Sequence, residues 1–263
     1  MKRITTIGTA VVAVLTVSSC GGGSNDESIS FEQLTTQKTV SIAKNEGAPT
    51  CNVQLELACA KESQGERAKA INAVVAQQLL GLEGLSLKQA ADSFANSYTR
   101  SYVQDFGPLY REDQADAEKR SWYEYHYNIS SETRQGRKGT TVYTAIVDYY
   151  EGGAHGINQR LVMNFDNKTG KLLTLGDVFV PGFEGRLNEM LLEALIEKTG
   201  SKDVNDLRDK GYLYLMDIFA PENFALDEKS MTFTYNPYEI APYAMGMTEL
   251  ELPYDELEDI MRK

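Results

Sequence analysis

Apolar positions in this chain change period several times, and each change marks an element. Cys51, Val53, Leu55, Leu57 and Cys59 alternate with polar or small residues, as in a half-buried strand. Lys38 to Lys44 reads as an earlier strand, with Glu46-Gly47-Ala48-Pro49 as the turn between them. After Ser63-Gln64-Gly65-Glu66 the period lengthens. Ala70, Ile71, Val74, Val75, Leu79 and Leu80 form one helical stripe, stopped by Gly81 and Gly84. Ser86 with Gln89 three residues on is a capping box for a second helix. That helix carries Leu87, Ala90, Ala91, Phe94, Tyr98 and Tyr102 inward and should end near Gly107-Pro108, with a charged third helix over 109–119.

Alternation then returns. Trp122 to Ile129 and Thr141 to Tyr150 read as strands, the second β-branched and aromatic. The glycine-rich corner Gly152-Gly153-Ala154-His155-Gly156 leads into a strand at Arg160 to Asp166. Asn167-Lys168-Thr169-Gly170 then turns the chain into Lys171 to Leu175. A helix is predicted over Phe183 to Lys198, with Gly200 as its stop. A hairpin joins Phe224–Leu226 to Ser230–Tyr235, and a short strand covers Thr248 to Leu252. Pro253 opens a final helix. Strands and helices in separate runs predict an α+β class, an antiparallel sheet packed with helices.

The N-terminus reads as an address. Lys2 and Arg3 precede an apolar run from Ile4 to Val17, too short for a span of about 20 residues and suited to a secretory signal. Val17-Ser18-Ser19-Cys20 resembles the lipobox of bacterial lipoproteins. That resemblance implies cleavage after residue 19 and acylation of Cys20, with a flexible linker over 20–36 beginning Gly21-Gly22-Gly23-Ser24. An ordinary signal peptide with an incidental cysteine is the alternative. Asp26-Glu27 resembles the surface-export signals of some Bacteroidetes lipoproteins, or is simply a solvated part of the tether. The expected location is the cell envelope, lipid-anchored to the outer membrane, on its periplasmic or surface face.

Charge narrows the partners. The chain has 26 Lys and Arg against 38 Asp and Glu, a formal net charge of −12. Nucleic acid is excluded as a partner, because phosphate binding needs a basic face. The acidic balance permits a basic protein partner or a cation. Two histidines and three cysteines offer few ligands for a transition metal, and no metal or other cofactor is implied. With Cys20 acylated, Cys51 and Cys59 are left for a disulfide in an oxidising envelope. Eight strand steps separate them by about 26 Å, so a bridge needs the strand to fold back; buried thiols are the other outcome.

Two segments carry a more specific resemblance. One is Tyr150-Glu151-Gly152-Gly153-Ala154-His155-Gly156, continued by Asn164-Phe165-Asp166 and Thr169-Gly170-Lys171. The other is Phe233-Thr234-Tyr235-Asn236-Pro237-Tyr238-Glu239-Ile240-Ala241-Pro242-Tyr243-Ala244. Together, from about residue 140 to 263, they resemble the extracytoplasmic domain of unknown function shared by the anti-sigma factor RsiV, the deacetylase PdaC and many bacterial lipoproteins. The stretch from about 37 to 110 resembles, less specifically, the small companion domain that precedes it in that family. The resemblance therefore implies an α+β fold, with a small α+β companion domain over 37–120 followed by an RsiV-like α+β domain over 121–263, and an envelope location. For RsiV it also implies non-catalytic recognition of lysozyme; in PdaC the chemistry sits in a separate domain that this chain lacks.

The ligand-binding candidates follow from these segments: Tyr150, Gly152, Gly153, His155, Tyr235, Asn236, Tyr238, Glu239 and Tyr243. His155 reads as a structural corner residue bonded to backbone, as a ligand contact, or as a general base without an evident orienting acid. The tyrosine loop, stiffened by Pro237 and Pro242, either plugs the end of the sheet or presents rigid aromatic area for recognition. Two functions follow. The first is a membrane-anchored, non-catalytic module that binds a protein, such as a basic lysozyme-like hydrolase, or peptidoglycan glycan. The alternative is a cell-wall glycan hydrolase or esterase using His155.

Overall fold

The computed structural model describes residues 28–262. The expected signal segment, Cys20 and the tether through Glu27 lie outside the described residues. Among the described residues no helix is long and apolar enough to cross a membrane.

The first six strands form one sheet in chain order: β1 (Phe31–Ser41), β2 (Thr50–Ala60), β3 (Tyr125–Gln135), β4 (Thr140–Tyr150), β5 (Ile157–Asp166) and β6 (Leu172–Leu173). All neighbours are antiparallel except β2 and β3, which run parallel. A parallel pair needs a long crossover, and helices α1 (Glu66–Leu80) and α2 (Leu87–Asp113) supply it. The helices cover one face. Cys51, Val53, Leu55 and Leu57 of β2 are fully buried with Ile71 and Val75 of α1 and Ala90 and Ala91 of α2. Each fully buried Leu or Ile there contributes roughly 1.5–3 kcal/mol. Asn72 of α1 is the polar exception. Its amide donates to the Ala60 carbonyl and accepts from the Ala60 N–H, both at 2.8 Å, which ties α1 to the end of β2.

The second unit holds its own core. It comprises α3 (Leu175–Val178), α4 (Glu184–Thr199), α5 (Val204–Asp209), an antiparallel sheet of β7 (Phe224–Leu226), β8 (Ser230–Tyr235) and β9 (Thr248–Pro253), and α6 (Tyr254–Leu257). Leu187, Leu191 and Leu195 of α4 pack on Phe233, Leu250 and Leu252. The α+β class is as predicted.

Several details differ from the sequence expectation. The division at 120/121 runs through a single sheet: β3 to β6 bond onward from β2 and share its core, and the two cores part near residue 174. The linker does not reach residue 36, because Phe31 already pairs with Ala60. β1 is an edge strand half-buried at best, so its polar sequence Glu32-Gln33 and Thr35-Thr36 hid it. Helix α2 continues through Pro108 to Asp113. Proline normally forces the preceding residue out of the helical region by a clash with its Cβ; Gly107 has none. Trp122 lies in a 3-10 turn before β3 and is 54% exposed. Asp203 caps α5, accepting from the N–H groups of Asn205 and Asp206. Of the two outcomes expected for Cys51 and Cys59, free thiols is the one found: they lie on one continuous strand, Cys51 buried and Cys59 half-buried.

Candidate functional site

The β4–β5 corner and the β8–β9 loop meet at the surface. Gly152 and Gly153 adopt φ of +82° and +96°, where only glycine is unstrained. A Cβ on Gly152 would also lie 2.9 Å from the Trp122 carbonyl oxygen. This turn lifts His155 out of the sheet, where it is exposed. Its Nδ1 lies 2.8 Å from the Gly156 carbonyl, which can only accept, so Nδ1 carries the proton. In the neutral ring Nε2 therefore accepts, and the Tyr238 hydroxyl donates to it over 3.2 Å. The His155 ring also stacks on Tyr243, with centroids 4.1 Å apart and planes 18° apart.

Tyr238 is held in an unusual conformation. Its φ is +74°, in the left-handed region that a bulky residue enters at a cost of about 1–2 kcal/mol. The loop over-determines it. Tyr238 N–H donates to the Ala241 carbonyl at 3.0 Å, Glu239 N–H to the Asn236 carbonyl at 3.1 Å, and Asn236 N–H to the Glu239 carboxylate at 2.7 Å. The Tyr238 side chain remains 60% exposed. Burial pushes the Glu239 carboxyl above its ordinary range, partly opposed by the Asn236 N–H. The result is a rigid three-ring platform of His155, Tyr238 and Tyr243.

Other predicted residues lie elsewhere. Tyr235 is fully buried, and its hydroxyl donates to the Phe219 carbonyl at 2.6 Å, so it is a core residue. Its hydroxyl titrates well above the ordinary range, chiefly through burial. Asn236 is nearly buried and grips β5: its amide accepts from Arg160 N–H at 2.7 Å and donates to the Arg160 carbonyl at 3.0 Å. Asn223 makes a matching contact one step along, accepting from Val162 N–H at 2.7 Å and donating to the Arg160 carbonyl at 2.8 Å. Where β6 has not yet begun, two side-chain amides take the place of a neighbouring strand on β5. Tyr150 is half-buried, and its hydroxyl donates to the Gly153 carbonyl at 2.9 Å, bracing the corner from behind.

Sequence reasoning missed two features. On the outer face of the large sheet, His126 Nε2 lies 3.1 Å from the Asp148 carboxylate. Beside it, a cleft of about 990 Å³ opens between β3–β5, β8–β9 and α4. Its walls come from segments as far apart in the chain as Ser130 and Glu251. The alternating polar positions of each strand that line it read separately as solvated faces. Among the described residues no group of three or more His, Cys, Asp or Glu side chains is placed to hold a metal ion.

Comparisons with known proteins fit this geometry. A family described as "Protein of unknown function (DUF3298)" matches residues 176–255, which lie within the second unit. The crystal structure of a DUF3298 family member from Bacteroides fragilis superposes with a TM-score of 0.83 at 28% identity, covering 91% of this chain and 96% of that one. A DUF3298 family protein from Pseudomonas aeruginosa gives a TM-score of 0.60 at 21% identity, covering 90% and 96%, and shares the fold. No curated protein matches the chain. The fold and the matched span thus define an α+β protein with a DUF3298-like second unit.

Proposed function

We propose that the chain is a lipid-anchored protein of the bacterial envelope whose folded part is a non-catalytic, RsiV/PdaC-like binding module. Its ligand is a protein or a glycan, met at the His155–Tyr238–Tyr243 platform. One observation carries this reading: the loop spends backbone strain at Tyr238 to hold an aromatic ring exposed. Strain of that kind is kept where function uses it, and rigid tyrosines give contact area at low entropic cost. Among proteins, a basic lysozyme-like hydrolase is the most concrete candidate, because a chain of net charge −12 attracts it over a distance. The hydrolase alternative gains nothing from the site. Both nitrogens of His155 are engaged, by a carbonyl and a phenol, and no carboxylate is among its partners.

Two experiments test the reading. Incorporation of labelled palmitate into the chain, and its loss in Cys20→Ser, tests the anchor. Titration of the detergent-solubilised chain with basic lysozymes and with peptidoglycan fragments tests the module. Saturable binding that weakens with salt supports a lysozyme-like partner; salt-independent absence of binding to several lysozymes removes it.

A further inference from the structure

The cleft between the two sheets is separate from the aromatic platform and has a different chemistry. It lies between the outer face of the large sheet and the face of the small sheet that looks away from α4. The two sheets meet along a seam. The Asn164 side chain donates to the Phe224 carbonyl at 2.7 Å and accepts from the Leu226 N–H at 2.8 Å, which pins β7 to β5. Val142, Val162 and Ala225 pack together there. Val162 and Ala225 also line the cleft and give it a floor of small apolar side chains.

Two hydroxyls border this floor without partners. Thr144 stands opposite Val162 in the β4–β5 register. Thr234 is 2% exposed and is joined to Val162 through Asn223, whose side chain accepts from Val162 N–H and donates to the Thr234 carbonyl. Both threonines line the cleft, and neither hydroxyl makes a hydrogen bond among the described residues. The hydroxyl of neighbouring Thr232, by contrast, donates to Asp227 at 2.9 Å. A buried hydroxyl left unpaired is costly. The floor therefore calls for a polar atom from outside as well as for methyl groups. An amide flanked by short aliphatic side chains meets both demands.

Further out the lining is charged. Arg134 and Arg160 are ion-paired with Asp227 and Glu249 and brace one sheet against the other. Glu132, Glu197 and Glu251 are exposed and make no ion pair among the described residues; Lys198 is the one unpaired cation among the lining residues described. The surplus is negative and suits an ammonium group. No aromatic side chain lines the cleft, so a sugar ring has nothing to stack on. We propose that the cleft binds a short peptide with small aliphatic side chains and a free ammonium group. Its amides meet Thr144 and Thr234, its methyl groups lie on Val162 and Ala225, and its ammonium group meets the carboxylates of Glu132 and Glu251. The proposal stands independently of the platform, since it uses none of the platform's residues.

The test titrates the detergent-solubilised full chain by calorimetry with Ala-Val-Lys amide, N-acetyl-Ala-Val-Glu, cadaverine and chitotetraose. Ala-Val-Lys amide should bind saturably, more weakly as salt rises, and shift the amide resonances of Thr144, Val162 and Thr234. Thr234→Val should weaken it about fivefold while unfolding stability holds or rises, because the hydroxyl has no partner within the fold. Glu132→Gln should weaken it about threefold and reduce its salt dependence. Glu112→Gln, an exposed change on α2, which covers the other face of the large sheet, should leave it unchanged. Failure of Ala-Val-Lys amide to bind, resonance shifts confined to other residues, or binding that Thr234→Val leaves intact would each overturn the proposal. So would equal binding of N-acetyl-Ala-Val-Glu or of cadaverine, or displacement of the peptide by chitotetraose.

Discussion

The side-chain amide of Asn236 holds the main chain of Arg160 by two hydrogen bonds, at 2.7 and 3.0 Å, across 76 residues of sequence. The contact closes an open stretch of the β5 edge and fixes the root of the loop that carries Tyr238. Replacing Asn236 with Ala leaves the Arg160 N–H without its partner beneath the loop, and leaves the Arg160 carbonyl with Asn223 as its side-chain donor. Leaving one buried group unpaired costs about 1–3 kcal/mol. Asn236→Ala should therefore lower unfolding stability by about 2 kcal/mol, read from the midpoint of urea denaturation. Asn223→Ala should do the same, and the double variant should lose more than either.

Tyr238 makes stability and function separable. Tyr238→Gly removes the strain at φ +74° together with the ring. Relief of about 1 kcal/mol should offset the few contacts of a mostly exposed side chain. Thermal stability should hold or rise slightly while ligand binding is lost. A large fall in stability would show instead that the ring serves the fold.

The two corner glycines should respond differently. Both have positive φ, but a Cβ on Gly153 meets nothing within 4 Å, whereas one on Gly152 meets the Trp122 carbonyl at 2.9 Å. Gly153→Ala should cost about 1 kcal/mol, the backbone term alone. Gly152→Ala should cost clearly more in the same denaturation assay, because the 3-10 turn beneath must shift.

Glu239 gives a pH signature. Its carboxyl is raised in the folded state by burial, so the folded state binds its proton more tightly than the unfolded chain does. The resulting penalty is absent below the unfolded value, near 4, and fully present once pH exceeds the raised folded value. Glu239→Gln keeps an acceptor for the Asn236 N–H and removes that penalty. It should stabilise the protein at pH 7 and have no effect near pH 3.5. A destabilising effect at pH 7 would contradict this assignment.

The cysteines should stay reduced and differ in reactivity. Burial first, and the Glu151 charge second, push the Cys51 thiol up to about 12. Native protein at pH 8 should show no intramolecular disulfide on mass analysis. Cys51 should react with a thiol reagent only on unfolding, and half-buried Cys59 ahead of it.

Local pattern made much of this fold legible. The stripe Ile71–Val75–Leu79, the Ser86–Gln89 cap and the hairpin at Asn167–Gly170 each depend on neighbours in sequence, and each lies where the pattern put it. The parallel pairing of Val53 with Tyr127 has no local signature, so the continuity of the sheet across residue 120 was hidden. The site divided in the same way. His155 and the tyrosine loop each stood out as glycine- and proline-shaped aromatic segments, but only folding shows that Tyr238 bonds to His155 and that Tyr235, three residues earlier, is core. Asn223 gave no signal at all, since an amide standing in for a strand looks like any loop asparagine.

The central claim is that the exposed rings of the platform dock a ligand. Its most direct measurement is a calorimetric titration of the detergent-solubilised chain, wild type against Tyr238→Ala, with a basic lysozyme and with peptidoglycan fragments. The account predicts saturable binding of one of these, weakened at least about tenfold by the substitution, which corresponds to some 1.4 kcal/mol for a contact at the centre of an interface, and no product formed from the fragments. Turnover of a fragment, or binding that Tyr238→Ala leaves untouched, would contradict it.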